Sequence, residues 1–156
     1  MDIGQTDLLR GVSVADAARI AALGSRRHLP AGELLFDLGS EAGDVFLVER
    51  GNVALTLPLR VGDGDKDVLV EERNAGQMVG WSGLIPPHRF TLKATAQAET
   101  DLLVLPRPAI EAFFTANPAI GYLVTRNLAS IIGQRLQVLQ AMWLREMQRF
   151  VEARTS

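Results

Sequence analysis

The stretch Phe36-Asp-Leu-Gly-Ser-Glu-Ala-Gly-Asp-Val-Phe-Leu-Val-Glu-Arg-Gly-Asn-Val53 decides the fold. Asp44 to Glu49 is a short run dominated by Val, Phe and Leu, residues that fit a pleated, half-buried surface. Arg50-Gly51 punctuates the chain as a turn, and Asn52-Val-Ala-Leu-Thr-Leu resumes the same character beyond it. Outward from this centre the pattern repeats. Leu29-Pro-Ala-Gly-Glu-Leu-Leu-Phe comes before it. Asp67-Val-Leu-Val-Glu comes after it, behind a Gly62-Asp-Gly-Asp-Lys loop that reads as a hairpin tip. Thr91-Leu-Lys-Ala-Thr-Ala and Thr100-Asp-Leu-Leu-Val-Leu complete the set. Short strands separated by glycine-bearing turns every eight to twelve residues or so predict a sandwich or barrel.

Helical patterns flank this block. From Thr6 to Leu23, apolar residues Leu8, Leu9, Val12, Ile20 and Leu23 recur at near-helical spacing, with Ser13 and Asp16 placed as cap and first-turn acid of a second short helix and Gly24 as its stop. Pro108 to Thr115 predicts a short helix ending at Asn117-Pro118. From Pro118 to about Ala153 no proline intervenes, and Gly121 and Gly133 are the only breakers. A continuous helix there would be about 50 Å long, with Pro118 suited to its first turn. The expected fold is α+β: a β-roll or jelly-roll barrel with N-terminal helices over residues 1–116, and a long C-terminal dimerisation helix over 117–156.

Ile132, Leu136, Leu139, Trp143 and Phe150 are spaced by four, three, four and seven, a heptad seam that skips one position at Glu146. Leu128 extends the stripe toward the barrel. The distal half of such a helix reaches past a barrel of this size, where an isolated helix gains little from propensity alone. Trp143, Met147 and Phe150 would then form a costly apolar patch, which pairing with a second copy across a two-fold axis removes. A homodimer through Leu128, Ile132, Leu136, Leu139, Trp143 and Phe150 is the expectation.

Composition excludes several chemistries. The 156 residues include no cysteine, which removes disulfides, thiolate catalysis and Cys-based zinc sites. The two histidines, His28 and His88, are far apart and give no metal-ligand spacing. No Ser/His/Asp order and no GxxxxGK loop is present, so the reading is not an enzyme and calls for no metal or catalytic residue. Asp63-Gly-Asp-Lys-Asp lacks the remaining ligands of a calcium loop. A formal net charge of -2 gives no electrostatic reason to expect nucleic acid or an anionic membrane. The N-terminus is no secretion signal and no apolar run approaches the ~20 residues of a membrane span, so a cytoplasmic protein without a membrane partner is expected.

Phe36 to Val53, with its aromatic, its Gly39 turn, its strand and its Gly51-x-Val53 hairpin, resembles the front half of the cyclic-nucleotide-binding domain, as in the bacterial catabolite activators. Gly76-Gln-Met-Val-Gly-Trp-Ser-Gly-Leu84 resembles the start of that family's phosphate-binding cassette, and Arg135-Leu-Gln-Val its dimer helix. The resemblance runs from about Leu8 to Phe150. It implies a pocket in which a short helix after a glycine offers N–H groups to a cyclic phosphate, an arginine grips that phosphate, and a glutamate accepts from the ribose. Gly80, Gly83 and Leu84 match the frame, and Ser82 either donates to a phosphate or caps the short helix.

The departures are specific. Trp81 stands in place of the glutamate and cannot accept from a hydroxyl. The arginine position falls on His88 in one register and on Arg89 in the other, with Phe90 or Thr91 where the family has alanine. Leu139 and Gln140 stand where two hydroxyl residues touch the base, and only Gln140 can bond a base edge. Trp81 and Phe90 either stack on a planar ligand or pack in the core. Each missing polar contact is worth about 1–3 kcal/mol, so high-affinity cAMP binding is not expected. The resemblance therefore implies a stand-alone sensor of the cyclic-nucleotide-binding type. Its ligand would be a nucleotide or another small anion, without a resident cofactor, and its downstream protein is unknown. The alternatives are a degenerate pocket on a dimerising scaffold, or the sensor part of a Crp-like transcription regulator. Because the chain stops at Ser156, directly after the long helix, no recognition helix follows and no DNA binding by this chain alone is expected.

Overall fold

The structure, a computed structural model, describes residues 2–155. Eight strands, β1 (Ser25–Leu29), β2 (Leu34–Phe36), β3 (Asp44–Arg50), β4 (Asn52–Val61), β5 (Gly64–Asn74), β6 (Met78–Val79), β7 (Lys93–Ala96) and β8 (Thr100–Pro106), lie between helix α1 (Val14–Ala21) and helices α2 (Arg107–Ala116) and α3 (Pro118–Thr155). They form two four-stranded antiparallel sheets, ordered β1-β8-β3-β6 and β2-β7-β4-β5. This is the expected jelly-roll-like β fold with a long C-terminal helix.

The alternation along β3 and β8 explains why Val45 to Val48 reads as an unbroken apolar run. Phe46 and Val48 point into the barrel, where they meet Phe36, Leu55, Val79, Phe90 and Leu102. Val45 and Leu47 point the other way, into a second core shared with Leu8, Leu9, Ile20, Leu103, Leu105, Ile110, Val124, Leu128 and Ile131. A strand buried on both faces loses its polar alternation. The helices are needed because this sheet would otherwise expose an apolar face.

Three local readings change. Arg50-Gly51 does not close a hairpin: β3 and β4 belong to different sheets, and the turn is a corner between them. Gly51 sits at φ 99 there, and a Cβ would crowd Thr100, so glycine is required by both conformation and space. The Gly62-Asp63 tip is tighter than the sequence suggests, because β4 and β5 pair from Asn52↔Asn74 out to Val61↔Gly64. Thr6 to Gly11 forms turns rather than a first helix. Only α1 is helical there, with the Ser13 hydroxyl accepting from the Asp16 N–H at 3.1 Å. The turns are held from outside: Asn127 Nδ2 on α3 donates to the carbonyls of Leu8 and Arg10, both at 2.8 Å.

Helix α3 runs unbroken for 38 residues. Val124, Leu128, Ile131 and Arg135 face the molecule and are buried, whereas Leu136, Leu139, Trp143, Leu144, Met147, Phe150 and Val151 are exposed. Among the described residues no helix is long and apolar enough to cross a membrane.

Candidate functional site

The cassette segment begins at β6 and leaves the sheet at Gly80. Its φ of 84 starts a 3-10 turn over Trp81–Gly83. A Cβ at Gly80 would press on the rings of Phe46 and Phe90, each 3.2 Å away, and one at Gly83 would collide with the Asp44 carbonyl oxygen. The two glycines therefore let this turn sit flush on β3. Ser82 is buried, and the Leu84 N–H closes the turn on the Trp81 carbonyl. Ile85 follows, then a cis Pro86-Pro87 bond and His88 with a left-handed φ of 57. His88 Nδ1 lies 3.0 Å from the Ser82 carbonyl oxygen, to which it can only donate. Arg89 is exposed; its Nη1 donates to the Gly39 carbonyl at 3.1 Å, and its backbone bridges to Glu41.

A small cavity opens under this turn. Its walls are Gly80, Trp81, Ser82, Phe90 and Thr91 from the cassette, Phe36, Leu55 and Leu92 from the barrel, and Arg135 from α3. Of the residues singled out from sequence, Gly83, Leu84, His88, Arg89 and Gln140 lie outside the lining. Gln140 is exposed on α3, and Leu84 packs against the second core. Along the seam, Leu128 is buried in that core and Ile132 packs half-buried against it, while Leu136, Leu139, Trp143 and Phe150 face outward. Phe90 stacks on Phe36 with ring centroids 3.6 Å apart and planes 7° from parallel. The space left is about 20 Å³, enough for about one water. Sites for drug-sized ligands measure roughly 300–1,000 Å³. A nucleotide enters only if Phe90, Trp81 or α3 moves.

Sequence reasoning did not pick out Arg135 as a pocket residue. It is 8% exposed and, among the described residues, is the one cation in the cavity wall. Its signal was present: Arg135 follows Leu128 by seven residues and Ile131 by four, which places it on the barrel-facing stripe. Glu71 on β5 holds it, with Arg135 Nε donating to Glu71 Oε2. The other oxygen of Glu71 accepts from Arg73 Nη1 at 2.9 Å. Arg73 Nη2 donates to Asp7 Oδ2 at 2.7 Å, and Arg73 Nε to the Met78 carbonyl at 2.9 Å. Asp7 Oδ1 accepts from the Met78 N–H at 2.9 Å. Burial pushes Arg135 below its ordinary value, opposed by Glu71, and pushes the Asp7 carboxyl above its usual range, opposed by Arg73. Two buried guanidinium groups and two partly buried carboxylates thus form a neutral chain from the N-terminal turns to α3. Removing one member would strand its partner's charge.

Comparison with known proteins agrees with this geometry. Residues 26–117 match the cyclic nucleotide-binding domain family. The Thermus thermophilus catabolite activator protein is similar in structure, with a TM-score of 0.74 and 26% identity, over 96% of this chain and 66% of that one. The c-di-GMP responsive global regulator CLP of Xanthomonas campestris superposes with a TM-score of 0.74 at 19% identity, over 85% of this chain and 64% of that one. Glutaminase 1 of Bradyrhizobium diazoefficiens is 26% identical over 140 residues, 90% of this chain but 22% of that protein. This chain therefore spans about a fifth of that curated relative and less than two thirds of the two regulators. The match covers the strands and the cassette, which supply every wall of the cavity except Arg135 of α3; the chain belongs to the cyclic nucleotide-binding domain family.

Proposed function

We propose that this domain is a non-enzymatic, ligand-sensing regulatory module of the cytoplasm. Residues 1–116 are its sensor body, and residues 117–156 are the segment whose helix α3 joins it to a second copy as a homodimer. Its ligand is a small planar anion, with cAMP bound weakly at best. One observation carries the reading: Arg135, a buried cation on the proposed dimer helix, faces the cavity beside Gly80, Trp81 and Ser82. A ligand that engages Arg135 pulls on α3 directly, which is what a sensor coupled to a dimer interface requires. The weakness toward cAMP follows from Trp81 in place of an acid and from Arg89, which lies outside the cavity lining and donates to the Gly39 carbonyl.

The dimer rests on the outward stripe of α3 and on its surroundings. Leu139 and Met142 of α3, with Leu57, Leu59, Val68 and Val70 of the β4–β5 hairpin, line a mostly apolar groove of about 410 Å³ beside that stripe, which Arg145 and Glu146 also border. A second copy of α3 would cover both. The competing reading is a scaffold whose pocket no longer binds anything; the Phe36–Phe90 stack, which leaves the cavity only about 20 Å³, favours it. Calorimetric titration with cAMP, cGMP, c-di-GMP and 5′-AMP separates the two. The sensor reading expects heat from at least one of them, strongly reduced in Arg135→Gln. No heat from any of the four leaves the scaffold.

A further inference from the structure

We infer that Glu71 is the residue that sets which ligands this cavity admits: its carboxylate takes the Nε–H of Arg135, so an anion that grips the guanidinium side-on, through Nε and one Nη, binds only by exchanging with it. This rests on the proposal that Arg135 is the ligand's anchor. The charge count carries the argument. Asp7, Glu71, Arg73 and Arg135 sum to zero, and every ion pair between them is buried or partly buried. An incoming anion therefore meets an arginine whose charge Glu71 already balances.

The exchange is feasible because the partners are shared unequally. Glu71 keeps Arg73 Nη1 at 2.9 Å when it gives up Arg135, and Arg73 keeps Asp7 at 2.7 Å. No carboxylate is stranded. The cost is one uncompensated negative charge in a desolvated site, and each further charge on the ligand raises it. Glu71 thus discriminates against highly charged anions and favours those with a single negative charge. It also works as a latch: Arg135 is held against β5 until something replaces the carboxylate, and the position of α3 is held with it.

The test uses the whole chain and inorganic phosphate as the probe, followed by thermal shift and calorimetry. Glu71→Gln keeps the shape and an acceptor oxygen but removes the charge. The expected result is phosphate binding at least about tenfold tighter than in the unsubstituted protein, a gain abolished in Glu71→Gln/Arg135→Gln. Equal phosphate affinity in Glu71→Gln and the unsubstituted protein overturns the role given to Glu71, whatever nucleotides do. If the unsubstituted protein binds none of the four nucleotides while Glu71→Gln gains phosphate through Arg135, the latch stands and the sensor reading falls. Should Glu71→Gln fail to fold, Glu71→Asp, which withdraws the carboxylate by one methylene, must show a smaller gain of the same kind; no gain there sinks the inference.

Discussion

The two halves of α3 share one backbone and behave as parts of different structures. Before Arg135, the inward residues Val124, Leu128 and Ile131 are buried against α1, α2 and the back of β3 and β8. After it, Leu136 is 55% exposed, Trp143 61% and Phe150 55%. The first half's apolar area is covered within one chain and contributes to folding. In the second half Met142 still packs against the barrel core, but the outward stripe lies open and contributes little until something covers it. Arg135 sits at the boundary, where the cavity meets the helix.

The sharpest way to break this comparison is to truncate one residue on each side. Leu128→Ala removes a side chain that is 3% exposed from the second core, and a loss of about 2–5 kcal/mol is expected in urea denaturation. Sedimentation of the folded fraction should be unchanged. Trp143→Ala should do the reverse. It removes the largest aromatic of the outward stripe, and a hot-spot loss of about 2 kcal/mol corresponds to roughly a 30-fold weaker association, read by sedimentation equilibrium. If Trp143→Ala instead lowers stability independently of protein concentration and leaves association intact, the distal half folds onto its own barrel in solution and the division is wrong.

How much of this was legible in the sequence follows from the same division. The strands were readable because β-branched runs and glycine corners are local signals, and α3 because Pro118 opens a long stretch without another proline. The Gly80 turn was readable through the resemblance of Gly76 to Leu84 to the family's cassette. The pocket's cation was not. Arg135 lies 55 residues from Gly80, and it reads as one more arginine of a basic helix unless the inward stripe is traced first. The placement of His88 and Arg89 also escaped a linear reading. The turn through Pro86 and Pro87 puts His88 in the left-handed region and ties it to the Ser82 carbonyl, while Arg89 goes to Gly39 on the outside. The Phe36–Phe90 stack joins residues 54 positions apart, through a register that only the folded sheets define.

The smallest effect is expected far from either half of α3, and it serves as the control. His28 on β1 pairs in register with Asp101 on β8. Its Nδ1 lies 2.7 Å from Asp101 and its Nε2 2.6 Å from Glu99, while Arg50 holds the other oxygen of Asp101 at 3.1 Å. Hydrogen bonds to Asp101 and then Glu99 raise His28 above its ordinary 6.5, and the same contact lowers Asp101 below 3.8. The signs define a window. A raised histidine value means stabilisation that is complete below about pH 6.5 and fades as pH rises through the folded value. A lowered carboxylate value means stabilisation present above about pH 3.8 and lost as pH falls through the folded value. His28→Ala should therefore cost stability mainly between those limits, and little because the cluster is exposed. It should alter neither association nor the amide exchange of α3. A proton NMR titration of His28 with its midpoint at or below 6.5 would refute the pairing. A His28→Ala variant with altered sedimentation would mean that β1, not α3 alone, takes part in holding two copies together.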